Sequence, residues 1–190
     1  MNYTIEEIKN WLKYNLTEER YEHSLGVAEC AELLAVKYGL DKEKAYLAGL
    51  IHDSAKCLAE KDMKEALTQC ELVCGELENK KTHHAPAGVI IAKKIFGVED
   101  EEILSAIRWH TIGKLNMTLF EKIIFLADKI ETRTRPFEYR EPIAMLVDEE
   151  NGLNKALLLC YKNTIKSLVD RNLTICTATV DIYNELQKSV

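Results

Sequence analysis

The sequence predicts an all-helical protein, and three observations predict it. Helical start and stop signals recur along the whole chain. Only 3 prolines and 8 glycines interrupt 190 residues. Apolar positions return at helical spacing, and no convincing alternation of a half-buried strand is found before the last quarter. The length suits one domain spanning residues 1–190.

Thr4-Ile5-Glu6-Glu7 reads as a capping box opening a short first helix. Thr17 caps a second that runs to about Tyr38 and stops at Gly39. Asp41 caps a third through Ile51, and residues 62–74 read as a fourth with softer bounds. Pro86 suits the first position of a helix that stops at Gly97. The next runs from about Asp100 to His110. Thr118-Leu119-Phe120-Glu121 is a second capping box, opening the helix that carries Asp128. Residues 133–140 read as an irregular, basic, exposed loop, 154–171 as a long apolar helix, and 178–188 as the last helix. The late apolar helices would serve either the core or a homodimer.

Bulk properties exclude several classes. The net charge of −6 argues against a nucleic-acid partner, while leaving acidic small molecules open to a local cationic or metal site. The start, MNYTIEEIKNWLKYNL, is charged throughout and lacks the apolar run of a signal peptide. The apolar stretch Ile123–Ala127 is too short to cross a bilayer, so no membrane partner and a cytoplasmic location are expected. Of the six cysteines (Cys30, Cys57, Cys70, Cys74, Cys160, Cys176) none forms a C-x-x-C pair, which suits reduced thiols. Cys70 and Cys74 could share a helix face, but two thiols without neighbouring histidines make a poor zinc site.

The chemistry lies where apolar helix faces deliver polar groups inward. His23 falls on the stripe of Val27, Ala31, Leu34 and Tyr38. Ala48-Gly49-Leu50-Ile51 ends in His52-Asp53, and Ile103 and Ile107 lead to His110. Phe120, Ile124 and Asp128 are four apart and share a face. A buried ionised aspartate costs several kcal/mol unless paired or bound to a cation, and few basic residues occupy those inner faces, Lys56 being the nearest. Several inward histidines beside two inward aspartates fit a metal better than separate core hydrogen bonds. In Thr82-His83-His84-Ala85-Pro86, residue type alone leaves His83 and His84 as equal candidates.

His23, His52-Asp53 and Asp128 make the H…HD…D pattern of the HD superfamily. The flanking strings narrow it: Arg20-Tyr21-x-His23-Ser24-x-Gly26-Val27, His84-Ala85-Pro86-x-Gly88, Ala106-Ile107-Arg108-Trp109-His110-Thr111-x-Gly113, and the run from Leu119 to Glu131. Together they resemble the YqeK family across roughly residues 4–186. The resemblance implies an HD-type helical bundle with a metal site at its centre. It implies symmetrical hydrolysis of a dinucleoside tetraphosphate, diadenosine tetraphosphate plus water giving two ADP. It implies an iron-containing, dinuclear site, and it assigns His84 rather than His83, with His110 as the fourth histidine.

Where the family carries an arginine after H-T-x-G this chain has Lys114, which keeps the charge and loses the bidentate fork. The family's phosphate-contacting arginine corresponds to Arg133 or Arg135, and the Arg-x-Phe spacing favours Arg135. The nucleotide-edge segment matches Thr174 to Thr179, including Ile175, loosely and without its usual prolines.

Six ligands exceed what one ion with open positions can use, so two ions bridged by Asp53 are expected. His23, His52, Asp53 and Asp128 would hold one ion, and Asp53, His84 and His110 the other. Nitrogen and oxygen donors suit Fe, Mn, Co or Zn and exclude a thiolate cluster. Asp53 and Lys56 are the expected catalytic groups. His23, His110, Asp128, Arg20, Lys114, Arg133, Arg135, Thr174, Ile175 and Thr179 are the expected substrate contacts. For Lys56 the alternative is a solvated lysine, and for Arg20 an ion pair with a nearby Glu. Two rival functions remain: another nucleotide phosphohydrolase or phosphodiesterase on the same scaffold, and a non-catalytic nucleotide-binding helical module.

Overall fold

The computed structural model describes residues 3–73, 76 and 79–190. Among these, ten α-helices and one 3-10 turn are found and no strand. The helices are α1 (Ile5–Asn15), α2 (Glu18–Lys37), α3 (Lys42–Ile51), α4 (Glu60–Leu67), α5 (His84–Lys94) and α6 (Glu101–Trp109), then α7 (Leu119–Ile130), α8 (Phe137–Leu146), α9 (Gly152–Asp170) and α10 (Thr177–Lys188). No described helix is long and apolar enough to cross a membrane.

The cap chemistry read from the sequence sets most starts. Thr4 Oγ1 accepts from Glu7 N at 3.3 Å while Glu7 Oε2 accepts from Thr4 N at 2.7 Å. Thr118 and Glu121 repeat that exchange at the head of α7. Asp41 Oδ1 accepts from Glu43 N and Lys44 N at 3.0 Å, and Asp100 does the same for α6. Gly39 and Gly97, with φ of +69° and +64°, follow the helices they stop.

Three elements differ from expectation. The fourth helix starts earlier than residue 62 and stops at Leu67, so Cys70 lies beyond it, and Cys74 lies outside the described residues. Cys70 Sγ instead donates to the carbonyls of Ala66 and Pro86, both at 3.4 Å. Pro86 is the third residue of α5, not the first; N–H groups of a first turn have no intrahelical partner, so proline costs nothing there. The stretch 133–140 is not wholly a loop, because α8 begins at Phe137 and contains Pro142. That proline removes one intrahelical bond and hid the helix from a reading based on breakers.

α7 is the central element. Nine of its twelve residues are buried, and α2, α3, α6, α8 and α9 all pack on it. Ile123, Ile124, Leu126, Leu50, Ile51, Ile107 and Leu157 are fully buried around it. Each such side chain contributes about 1.5–3 kcal/mol of burial. That sum forces Asp128, on the same helix, inside. α2 and α3 form the closest pair. A Cβ on Gly49 would stand 2.9 Å from Ala28 Cα and from Val27 O, so only glycine lets the two backbones meet. The late helix α9 buries Leu157, Leu158, Cys160 and Tyr161 against this core.

Candidate metal centre

The helix pairing delivers the expected side chains to one place. His23 comes from mid-α2, His52 and Asp53 from the end of α3, and His84 from the start of α5. His110 follows α6, and Asp128 comes from α7. All six are buried. The imidazoles form a row, with ring centroids 5.3 Å apart for His23 and His52, 4.9 Å for His52 and His110, and 5.1 Å for His84 and His110. Two groups of ligand atoms lie within 4.8 Å of one another: His23, His52 and Asp53, and Asp53, His84 and His110. Asp53 belongs to both. Its Oδ1 is 3.0 Å from His84 Nε2 and 3.6 Å from His110 Nε2, and its Oδ2 is 3.8 Å from His52 Nε2. Asp128 Oδ1 closes the first group, 2.9 Å from His23 Nε2 and 3.8 Å from His52 Nε2. The adjacent His83 is turned away, its ring donating to the Glu76 carbonyl at 2.8 Å.

The second nitrogens fix the tautomers. His52 Nδ1 donates to the Gly49 carbonyl and His110 Nδ1 to the Ile107 carbonyl, each at 2.7 Å. Each Nε2 therefore presents a lone pair to the centre. Glu131 does the same for His23, with Oε1 3.1 Å from Nδ1. Glu131 is fully buried and also accepts from the backbone N–H groups of Arg133 and Thr134. The sequence reading gave it no role. Its position three residues after Asp128, on the same helix face, was the available signal.

Electrostatics keep the site in a ligating state. Burial pushes His52 down to about 3 and also lowers His84, so both are neutral near pH 7. Burial would raise the Asp53 carboxyl, but the groups gathered around it hold it well below the usual carboxylate range. Asp128 is likewise held low, against burial, by Lys129, His23 and Arg135.

The expectation that few cations reach the inner faces is corrected. Arg20 Nη1 lies 3.3 Å from Asp53 Oδ2, which also replaces the Glu partner considered for Arg20. Lys129 Nζ and Arg135 Nη2 lie 2.7 and 2.6 Å from the two Asp128 oxygens. Lys56 Nζ is 3.9 Å from Asp53 Oδ1 and 3.1 Å from His84 Nε2, and burial lowers its pKa. Charge balance alone thus does not demand an ion. The histidines do. His52 Nε2 is buried with no hydrogen-bond partner, and the Nε2 atoms of His84 and His110 face each other at 3.1 Å. An orphaned lone pair aimed at carboxylates, and two ring nitrogens in opposition, are what a cation resolves. The nitrogen and oxygen donor set suits a divalent metal.

The remaining expected contacts are spread wider. Arg135 borders Asp128, whereas Arg133 points to the exposed Glu22 and Glu29 of α2, with N–O distances of 2.6 Å. Lys114 pairs with Glu121 at 2.7 Å and lines a cavity of ≈ 330 Å³ with Val73, Trp109, Cys176, Ala178 and Thr179. Thr174 is exposed and Ile175 half-buried, and neither lines that cavity.

The HD domain family matches residues 20–133. The chain is 38% identical over 182 residues to "Bis(5'-nucleosyl)-tetraphosphatase, symmetrical" of Bacillus subtilis (strain 168), covering 95% of this chain and 96% of that protein. It is 40% identical over 179 residues to the protein of the same name from Halalkalibacterium halodurans, covering 92% of each. The crystal structure of a predicted HD superfamily hydrolase involved in NAD metabolism from Clostridium acetobutylicum superposes with a TM-score of 0.90 at 41% identity, covering 99% of both chains. Architecture, ligand row and relatives converge: the chain belongs to the HD domain family and, within it, to the symmetrical bis(5'-nucleosyl)-tetraphosphatases.

Proposed function

We propose that residues 1–190 act as a single cytoplasmic HD-type domain that hydrolyses diadenosine tetraphosphate symmetrically, one water and one substrate giving two ADP. The carrying observation is the convergence of His23, His52, Asp53, His84, His110 and Asp128, with His52 Nε2 left unpartnered at their centre. The relatives' name supports the substrate. His23, His52, Asp53 and Asp128 would hold one divalent ion and Asp53, His84 and His110 a second, iron by family resemblance, with Mn, Co or Zn also suited to these donors. When bound, such ions acidify a water at neutral pH and offset phosphoryl charge.

The chain's own groups do the rest. The ionised Asp53, facing both ligand groups, orients the attacking water. Lys56 and Arg20, on either side of Asp53, donate to phosphate oxygens as charge builds on the departing ADP. Arg135 does the same beside Asp128. The P–O bond between the two central phosphorus atoms breaks, and the water oxygen becomes a terminal oxygen of one ADP. The net charge of −6 makes these local cations the means by which a polyanion is tolerated.

The test is anaerobic purification with metal quantification, followed by chromatography of the products. Two ADP are expected, and the double change His52→Ala, Asp53→Ala abolishes both metal content and turnover. ATP plus AMP, or intact tetraphosphate while another nucleotide is consumed, transfers the site to a different phosphohydrolase reaction. Metal and turnover surviving the double change overturn the site itself.

A further inference from the structure

Each of the two buried aspartates is approached by two cations. Arg20 and Lys56 stand beside Asp53, and Arg135 and Lys129 beside Asp128. Asp53 Oδ2 and Asp128 Oδ1 are both 3.8 Å from His52 Nε2, so the four cations surround one centre. Even with Glu131 added, the centre sets three carboxylates against four cations. It is therefore cationic before any metal is added, in a chain whose net charge is −6. A divalent ion adds to that surplus, and a bound anion offsets it.

Arg20, Lys56 and Arg135 are the phosphate donors of the reading above, and the fourth cation is Lys129. Consecutive helix residues point about 100° apart and do not face each other. Lys129 nevertheless doubles back, and its Nζ donates to Oδ2 of the adjacent Asp128 at 2.7 Å. Arg135 Nη2 donates to the other oxygen, Oδ1, which faces His23 and His52. The Phe125 ring, one turn back, lies 5.1 Å from the Lys129 ammonium and is itself stacked on Tyr161 of α9 at 5.7 Å. A packed ring and a buried carboxylate thus fix the seat of the charge. An ammonium has three donors, and among the described residues Asp128 takes one. The Lys129 side chain is 20% exposed against 7% for Asp128, which puts the ammonium on the solvent side of the carboxylate.

Resting on the proposed tetraphosphate substrate, we infer that Lys129 is a further substrate-binding residue, whose ammonium holds a phosphate of the bridge at the Asp128 end of the centre. Each phosphate of that bridge carries one negative charge, and the four cations around the two aspartates are matched to such a chain. Lys129 donates one hydrogen to Asp128 and turns its remaining donors to phosphate oxygen. Helical periodicity gave no sign of it, because a residue next to an inward aspartate is expected to point elsewhere.

The experiment compares the unmodified, metal-loaded protein with Lys129→Met, which keeps the apolar stem against Phe125 and removes the charge, and with Lys129→Arg, which restores a cation. Three quantities are read: metal content, ADP affinity by calorimetric titration, and KM for diadenosine tetraphosphate. Loss of one charge-assisted hydrogen bond in Lys129→Met weakens ADP and raises KM, each about tenfold, at full metal content. Lys129→Arg recovers most of both losses. If Lys129 only neutralises Asp128, its removal changes metal content and leaves ADP affinity and KM unchanged at full loading, which overturns the inference. A loss confined to kcat overturns it as well. An unmodified protein that leaves the tetraphosphate intact overturns the proposed activity, and the ADP titration then decides Lys129 by itself. Weaker ADP in Lys129→Met sustains the phosphate contact, equal affinity removes it, and absence of ADP binding by the unmodified protein overturns it together with the activity.

Discussion

Glu131 Oε1 lies 3.1 Å from His23 Nδ1, joining two residues 108 positions apart in a fully buried pair. The carboxylate sets which nitrogen of His23 faces Asp128, and raises its basicity. Burial would raise Glu131, but His23, Thr134 and the Arg133 and Thr134 N–H groups bring it down to about 2. Glu131→Gln keeps the shape and removes the charge. It is expected to weaken metal binding about 10–100-fold, the usual effect of losing a ligand's orienting partner. Titration of the apoprotein with a divalent metal checks this, and unchanged affinity would show that the pair is only structural.

Gly49→Ala sets two opposing effects against each other. Alanine gains up to about 1 kcal/mol of helix propensity. Its Cβ would stand 2.9 Å from the Ala28 Cα and the Val27 carbonyl, backbone atoms that cannot turn aside. Overpacking of this kind costs about 1–3 kcal/mol. The net expectation is a Tm lower by several degrees and reduced metal content, because α2 and α3 carry His23 and His52. A Tm at or above that of the unmodified protein would mean that the helices part without penalty.

Arg135 and Arg133 should separate cleanly. Arg135→Ala removes a guanidinium 2.6 Å from Asp128 and is expected to raise KM for the tetraphosphate at least tenfold, by the loss of about 1.5–3 kcal/mol per charge-assisted bond. Arg133→Ala breaks exposed pairs with Glu22 and Glu29, worth about 0–1 kcal/mol, and leaves KM near its original value. The reverse ranking in steady-state kinetics would place Arg133 at the substrate.

Glu121 gives a pH signature remote from the ligands. Burial would raise its carboxyl, but Lys114, Ser105 and the Thr118 N–H bring it below the usual 4.5. A carboxylate with a lowered folded pKa adds stability that is complete above its unfolded value and fades as pH falls through the folded one. Glu121→Gln should therefore cost about 1–3 kcal/mol at neutral pH. That gap should close as the pH drops below 4.5. Urea midpoints across the acid range test it, and a constant gap would refute the link.

The sequence made legible whatever is local or periodic. Both capping boxes and the placement of His23, His52, His110 and Asp128 on apolar faces follow from spacing alone. Only the family resemblance separated His84 from His83, since the decision rests on which ring the turn at residues 80–83 aims inward. The cations on Asp53 and Asp128 escaped notice because Arg20 reaches Asp53 across 33 residues, and Arg135 doubles back from the segment before α8. Helix α8 was hidden by Pro136, which costs nothing just before a helix, and by Pro142, whose one lost bond is outweighed by packing on α7 and α9.

The six centre residues reach from position 23 to position 128, so most of the fold threads through them. Cations seated in the two ligand groups would together stitch five distant segments, and letting them go would let the segments separate. At a thousandfold excess over its dissociation constant, such a ligand adds about 4 kcal/mol to the folded state. That is a large fraction of the roughly 5–15 kcal/mol that domains possess. Chelation should therefore lower the melting temperature as well as silence turnover, and metal starvation would shorten the lifetime of the protein itself.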